Sequence, residues 1–174
     1  MTESSDPTPL NPEQQKLYDT IVDQYTRELV VDQLEPPQLL LHVDGRGGTG
    51  KTVALLTVSA RLQELAAMNG KQNPVFRAAP TSVAAYGIKG RTLHSLLHLL
   101  VRGKMSDLST ATLQSLQALF RDCCFLVIDE KSMMDLRIFL LIDDWLWVIF
   151  PATSHQPFGG INVLICGDFF SCRL

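Results

Sequence analysis

The chain has 174 residues, of which 46% are hydrophobic and 19% are charged, and its formal net charge is −3. A chain of this length and composition folds as one domain with a substantial core, which excludes an intrinsically disordered protein. The small negative charge excludes a basic surface over the whole molecule, although a local groove can still be basic. Residues 1–9 are polar and contain two prolines, which predicts a disordered lead-in before a domain that spans residues 10–174.

The first elements of this domain are a helix and an apolar strand. A helix is expected over residues 11–31, because Asn11 is a good cap and Pro12 suits the first helical turn. The apolar run Leu39–Val43 then predicts a strand that leads into a glycine-rich stretch.

That stretch has the pattern of a phosphate-binding loop, in which two glycines separated by four residues precede Lys and a hydroxyl residue. Its glycines allow backbone N–H groups to converge on an anion, and the helix that begins near Lys51 adds its positive dipole end. Lys51 would reach the outer phosphates, and the Thr52 hydroxyl would ligate Mg²⁺. A plain glycine-rich turn is the alternative, but the strand before it and the helix after it favour nucleotide binding. The predicted nucleotide-binding residues of the loop are Gly45, Gly47, Gly48, Thr49, Gly50, Lys51 and Thr52.

Helices and strands alternate through the rest of the chain, which predicts an α/β fold with a parallel sheet covered by helices on both faces. The helices expected by periodicity and capping residues are Lys51–Asn69, a brief one from Thr81 or Ser82 to Gly87, one from Thr92 to about Val101, Leu113–Phe120 and Leu136–Phe150. The expected strands are Val75–Ala79, Cys124–Ile128 and Ile161–Cys166, with loops at Arg102–Ser109 and Pro151–Gly160.

Two acidic residues, Asp129 and Glu130, directly follow the buried strand that ends at Ile128. In a chain with a phosphate loop, a carboxylate at this position can hold Mg²⁺, and the next one can act on the attacking water. Asp129 is therefore assigned to the metal and Glu130 to the general-base role, with Lys51 as its catalytic partner on the phosphates. Acidic residues commonly follow strands, so this pattern carries weight only together with the loop.

The cysteines and the apolar segments indicate in which cellular compartment the protein is expected. The four cysteines have no zinc-like spacing, which predicts reduced thiols inside the cell, and no apolar signal core opens the chain. The most apolar run, Phe139–Phe150, is too short to cross a membrane and contains two Asp residues. We expect an intracellular protein without a membrane segment.

Five motifs in this order resemble the petite-integration-frequency (PIF) family of DNA helicases, of which the helicase domains of Helitron transposons are close relatives. The opening Leu10-Asn11-Pro12-Glu13-Gln14 is similar to the family's adenine-recognition motif, which would put Gln14 on the adenine edge. The resemblance runs from about Leu10 to Phe169. The other motifs that carry it are the phosphate loop, Ala79-Pro80-Thr81-Ser82-Val83-Ala84-Ala85 with Gly90-Arg91-Thr92-Leu93-His94-Ser95, Ile128-Asp129-Glu130-Lys131-Ser132-Met133, and Phe158-Gly159-Gly160 before Cys166-Gly167-Asp168-Phe169.

The resemblance implies a RecA-like phosphate-loop NTPase domain in which the strand at Ile161–Cys166 lies between those at Leu39 and Leu126. It also implies ATP-driven 5′-to-3′ translocation on single-stranded DNA, action on DNA with a 5′ tail, and roles in replication, repair, recombination and telomere maintenance. The nucleus is the expected compartment, with the mitochondrion as the alternative.

In the family, the DNA path is lined by the segment that here contains Pro80, Thr81, Thr92 and His94. The residues themselves leave other readings open: Thr92 is a good helix cap, and His94 on an apolar helix can be a satisfied core histidine. Local positive charge from Lys89, Arg91, Arg102 and Lys104 can equally belong to an ordinary solvated face.

The chain departs from the family pattern in three places. The family has Gln-Leu-Pro-Pro shortly after Gly-Asp-Phe, with a Gln that senses the terminal phosphate, and this chain has Phe170-Ser171-Cys172-Arg173-Leu174 instead. A second motor domain is expected to be missing, and Trp145 and Trp147 replace the usual basic residues of the helix after the acidic pair. We interpret these tryptophans as core, with an exposed docking surface as the alternative.

These departures predict the first half of a motor, as from a truncated gene product or a transposon remnant, that does not separate strands by itself. One alternative is a nucleotide-binding module without turnover, which docks through the tryptophan helix. Another is a clamp-loader-like ATPase, which the ordered motifs after Pro80 disfavour.

Overall fold

The computed structural model describes residues 9–30, 36–45, 50–99 and 108–167. Four segments that the sequence analysis discusses lie outside these ranges. They are the predicted lead-in up to residue 8, the phosphate-loop residues 46–49, the basic pair Arg102 and Lys104, and the segment from residue 168 onward.

The described elements alternate between helices and strands. The helices are α1 Pro12–Leu29, α2 Lys51–Met68, α3 Ser82–Gly87, α4 Leu93–Leu97, α5 Thr110–Leu119 and α6 Leu136–Ile149. The strands are β1 Leu40–Asp44, β2 Val75–Ala79, β3 Arg91–Thr92, β4 Phe125–Ile128 and β5 Asn162–Gly167. Short 3₁₀ turns occupy Lys131–Met133, Pro151–Thr153 and Pro157–Gly160.

The described strands form one parallel sheet in the order β1-β5-β4-β2-β3. The register pairs Val43 of β1 with Cys166 of β5, and Ile128 of β4 with Ile165 of β5. The predicted position of the last strand between the first strand and the strand before the acidic pair is therefore confirmed.

Helices cover both faces of the sheet, as the alternation of elements predicts. On one face α1 and α2 contribute Ile21, Tyr25 and Leu62 to a core that includes Val127 and Leu164. On the other face α4, α5 and α6 pack against the opposite side chains of β4 and β5. The central strand β4 is buried at every position, which explains its unbroken apolar sequence.

A capping box starts α1 and orients the residue predicted to recognise adenine. The Asn11 side-chain oxygen accepts a hydrogen bond from the Gln14 backbone N–H at 2.9 Å, and the Gln14 side-chain oxygen accepts one from the Asn11 N–H at 2.9 Å. The helix begins at Pro12 as predicted, and its last residue is Leu29. The predicted end at Val31 is two residues too late, because Val30 already has an extended backbone.

Two later helix boundaries need correction, and one strand was not predicted. Helix α5 begins three residues earlier than predicted, because the Ser109 hydroxyl caps it by accepting a bond from Thr112 N–H at 3.1 Å. Helix α4 is shorter than predicted, because His98 adopts a left-handed conformation with φ 53°. The stretch Pro151–Gly160 is a loop with two 3₁₀ turns, and the two-residue strand β3 was not predicted.

The two tryptophans of α6 have different surroundings, so the core prediction is right for one of them. Trp145 is 1% exposed and lies in the core, whereas Trp147 is 40% exposed. The Trp147 indole N–H donates to the Gln156 carbonyl at 3.1 Å, which fixes the ring on the surface. None of the helices in the described ranges has the length and apolar composition that a bilayer span needs.

Replacing Trp145 with Ala should lower the free energy of unfolding by about 3–5 kcal/mol, because it leaves a large cavity in the core. Trp147→Ala is the matched control, and we expect a loss of roughly 1 kcal/mol because this ring is partly in water. Urea denaturation followed by circular dichroism measures both. Equal losses would contradict the placement of Trp145 in the core.

Candidate nucleotide and DNA sites

The predicted nucleotide motifs lie at one edge of the sheet, where the parallel strands end. The phosphate loop follows β1, the acidic pair follows β4, and β5 lies between them. Neighbouring strands are about 4.8 Å apart, so the two motifs face each other across roughly 10 Å. That gap accommodates a phosphate group between basic and acidic side chains.

The described part of the loop is its two ends. Gly50 has φ +75°, a left-handed conformation that favours glycine, and it caps the start of α2. Lys51 is the first residue of α2, and its amine donates to the Gly45 carbonyl. Thr52, in the first turn, is exposed. Gly47, Gly48 and Thr49 lie outside the described residues, so their predicted role stays a prediction.

Gln14 lies directly against the loop, although 36 positions separate it from Gly50 in the sequence. A Cβ added at Gly50 would be 2.5 Å from the Gln14 side-chain nitrogen, so any other residue at this position would make the amide shift. The Gln14 side-chain oxygen accepts from the Asn11 N–H, and an amide group carries both donors and acceptors, as the edge of a base does. Such a position beside the loop is suited to reading a nucleotide base.

Both acidic residues after β4 are half-buried. The Asp129 N–H donates to the Ala78 carbonyl of β2 at 2.9 Å, which ties the end of β4 to its neighbour. Glu130 adopts a left-handed conformation with φ 58°, which is uncommon for a residue with a side chain. Its carbonyl accepts from the Met133 N–H at 3.1 Å and so starts the turn that follows.

The Glu130 carboxylate has a partner that the sequence did not indicate. The Thr81 hydroxyl, at the end of β2, donates to Glu130 Oε2 at 2.6 Å. Thr81 was predicted as a helix cap and a DNA contact. It does cap α3, because its oxygen accepts from the Ala84 N–H at 3.3 Å.

The buried thiol of Cys166 lies near charged residues of both motifs. Burial at the end of β5, together with the Asp129 charge, raises the pKa of Cys166 to about 12. Lys51 and Lys131 act in the opposite direction. All three charges therefore lie near this thiol, which joins the loop and the acidic pair in one neighbourhood.

Lys131 makes contacts that its local sequence does not indicate. It passes over Gly167, where an added Cβ would lie 2.9 Å from the Lys131 backbone nitrogen. Its amine contacts the His42 ring and lies 3.6 Å from Asp44 Oδ1 on β1. Lys131 thus connects the segment after β4 to the strand that carries the phosphate loop.

The predicted DNA segment lies at the same edge of the sheet. Ala79 of β2 pairs with Thr92 of β3, so Pro80 and Thr81 leave the sheet beside Thr92 and His94. Thr92 is the predicted cap, because its oxygen accepts from the Ser95 N–H at 3.2 Å. His94 is exposed, so the alternative of a core histidine is wrong.

The surface beside this segment is both aromatic and basic. Val83 and Tyr86, on the outer side of α3, are almost fully exposed, and Lys89 and Arg91 are exposed as well. Arg91 donates to the Ser95 carbonyl at 3.0 Å. Exposed aromatic rings near positive charge are suited to single-stranded nucleic acid, on which bases stack. Tyr86 was not predicted, because exposure cannot be deduced from a six-residue helix.

The chain is similar to helicases over most of its length. A family model described as PIF1-like helicase matches residues 9–172. The ATP-dependent DNA helicase RRM3 of Saccharomyces cerevisiae is 32% identical over 147 residues, which are 83% of this chain and 20% of that protein. The ATP-dependent DNA helicase PIF1 of the same species is 36% identical over 129 residues, which are 72% of this chain and 14% of that protein.

Solved structures give the same result for the fold. A crystal structure of Pif1 helicase from Candida albicans matches with a TM-score of 0.67 at 24% identity, over 93% of this chain and 33% of that one. Pif1 from Bacteroides in complex with ADP-AlF3 and ssDNA matches with a TM-score of 0.63 at 26% identity, over 94% and 33%. The predicted RecA-like fold is confirmed, and the chain spans about a third of these structures and a fifth or less of the yeast proteins.

Replacing Gly50 with Ala should lower the free energy of unfolding more than replacing Gly70 with Ala. Both glycines have left-handed φ, +75° and +67°, so both variants carry similar backbone strain, on the order of 1 kcal/mol. Only at Gly50 would the new Cβ overlap a side chain, that of Gln14, while the space at Gly70 is open. Urea denaturation measures both, and equal losses would mean that Gln14 moves aside without cost.

Proposed function

Since the chain belongs to the PIF1-like helicase family, we propose that it forms the ATP-binding domain of a DNA helicase motor. The observation that carries the proposal is that the loop ending at Lys51 follows β1 and the acidic pair follows β4, with only β5 between these two strands. In the proposed motor, ATP hydrolysis drives movement along single-stranded DNA in the 5′-to-3′ direction.

The residues present fit Mg²⁺ and a triphosphate. No group of three or more His, Cys, Asp or Glu side chains able to hold a metal occurs in the described ranges. Mg²⁺ usually binds through one or two protein oxygens together with phosphate oxygens and water. Thr52 and Asp129 would hold the ion, which neutralises charge on the outer phosphates.

Side chains of this chain would bind the phosphates, select the base and activate the attacking water. Lys51 binds the outer phosphates, with the loop N–H groups and the start of α2 around them. Gln14 selects the base. Glu130 orients the attacking water and accepts its proton, for which its half-buried carboxylate at the same edge of the sheet is suitably placed.

Single-stranded DNA would cross the neighbouring part of this edge. Bacteroides Pif1 has been solved with ssDNA at 26% identity to this chain, which supports a related DNA path here. We assign the contacts to Pro80, Thr81, Thr92 and His94, and add Tyr86 for base stacking because of its exposure. Nuclear DNA with a 5′ tail, in replication, repair, recombination or telomere maintenance, is the proposed setting.

The decisive experiment measures ATP binding and phosphate release on the purified chain, each with and without single-stranded DNA. Binding with turnover supports the enzyme. Binding without turnover supports a nucleotide-binding module, or a domain that works only within a larger motor. Absence of ATP binding would refute the proposal.

Lys51→Ala should weaken Mg·ATP binding at least tenfold, because a charged hydrogen bond to phosphate contributes about 1.5–3 kcal/mol. Lys71→Ala is the control with the same change of charge, since Lys71 lies beyond the far end of α2. Isothermal titration calorimetry gives both affinities. Unchanged binding by Lys51→Ala would rule out the assignment of the phosphate loop.

Gln14→Ala should reduce the preference for ATP over GTP, because the amide that reads the adenine edge is lost. Asn11→Ala is the matched control: it removes the other half of the capping box but keeps the Gln14 amide. Competition between the two nucleotides measures the preference in each variant. If Gln14→Ala retains the parent's preference, base recognition by Gln14 is wrong.

A further inference from the structure

We propose that the Thr81 hydroxyl couples DNA binding to the catalytic carboxylate, because it can bind either Glu130 or a DNA phosphate but not both. Without DNA, the hydroxyl restrains Glu130; when DNA takes the hydroxyl, Glu130 becomes available to the attacking water. The inference rests on the proposed function, in which DNA reaches Thr81 and Glu130 acts as the general base.

The sheet brings these two residues together. Ala78 of β2 pairs with Ile128 of β4, so the segments that leave the two strands run side by side at the same edge. Thr81 Oγ1 lies 2.6 Å from Glu130 Oε2, within the range of a hydroxyl that donates to a charged carboxylate. Both side chains are half-buried, which shields the bond from competing water.

The chemistry of a hydroxyl makes the two partners exclusive. A threonine hydroxyl has one hydrogen to donate, and Glu130 takes it in this structure. The Thr81 oxygen accepts from the Ala84 N–H at 3.3 Å, so α3 holds the hydroxyl in place. A phosphate oxygen accepts hydrogen bonds but cannot donate them, and it must therefore compete with Glu130 for that one hydrogen.

The bond also constrains what Glu130 can do. The backbone of Glu130 is held in a left-handed conformation by the turn that follows, so its side chain leaves from a defined position. A carboxylate oxygen that already accepts a short hydrogen bond is a weaker acceptor for the proton of water. No hydrogen bond in the described part of the chain joins the neighbouring Asp129 carboxylate to Thr81, so this restraint acts on the general base alone.

The competition can be measured without nucleotide, as the affinity for fluorescent single-stranded DNA. Glu130→Gln replaces the charged acceptor by a weaker neutral one, which frees the Thr81 hydroxyl for phosphate. Glu130→Gln should raise the DNA affinity of the parent chain. We expect this increase to exceed, by roughly threefold or more, the change that Glu130→Gln causes in the Thr81→Val variant. The Thr81→Val background lacks the hydroxyl, so only the general effect of removing a negative charge remains there.

Three controls separate this coupling from charge and from folding. Asp129→Asn removes the adjacent carboxylate charge, and its effect on DNA affinity should be the same with Thr81 and with Thr81→Val. Thr81→Ser keeps the hydroxyl and should restore the coupling. Ser109→Ala removes the cap of α5, a comparable loss of a helix cap away from this edge, and should leave the effect of Glu130→Gln unchanged.

Equal effects of Glu130→Gln with and without the Thr81 hydroxyl would overturn the inference, as would absence of DNA binding by the parent chain. Neither result bears on the nucleotide site, because Lys51-dependent ATP binding tests that site separately. The inference would be supported if Glu130→Gln has its additional effect on DNA affinity only in chains that carry Thr81 or Thr81→Ser.

Discussion

Parallel pairing of β5 with both β1 and β4 determines where the phosphate loop and the acidic pair lie. Because the three strands run in the same direction, the chain leaves β1 and β4 at one edge, and the phosphate loop and the acidic pair meet there. β2 pairs with β4 on its other side and delivers Thr81 to the same edge. A change in this strand order would separate the predicted nucleotide residues from one another, even if every helix and strand still formed.

Much of this arrangement follows from local sequence. The phosphate loop, the Asn11 cap of α1 and the apolar run of β4 each depend on neighbouring residues, and each was predicted from them. Trp145 and Trp147 show where local patterns stop being informative, since both lie on one apolar helix and only packing decides which is buried. The two-residue strand β3 is too short to have a periodicity.

The contacts that sequence could not supply join residues far apart in the chain. Thr81 meets Glu130 across 49 positions, and Lys131 contacts His42 across 89. Hydroxyl, carboxylate and ammonium groups are common on protein surfaces, so nothing in their local sequence indicates a partner. The approach of Gln14 to Gly50 is of the same kind, although the family resemblance already suggested a base-recognition role for Gln14.

The thiol of Cys166 has a consequence for oxidative chemistry at this edge of the sheet. Electrophiles and peroxides react with the thiolate form, and a pKa raised to about 12 by burial keeps Cys166 protonated at neutral pH. Its side chain is also fully buried in the core that α1 and α2 form against the sheet. A sulfur atom therefore lies beside the proposed phosphate site without making that site sensitive to oxidants, and thiol reagents should leave it intact in the folded protein.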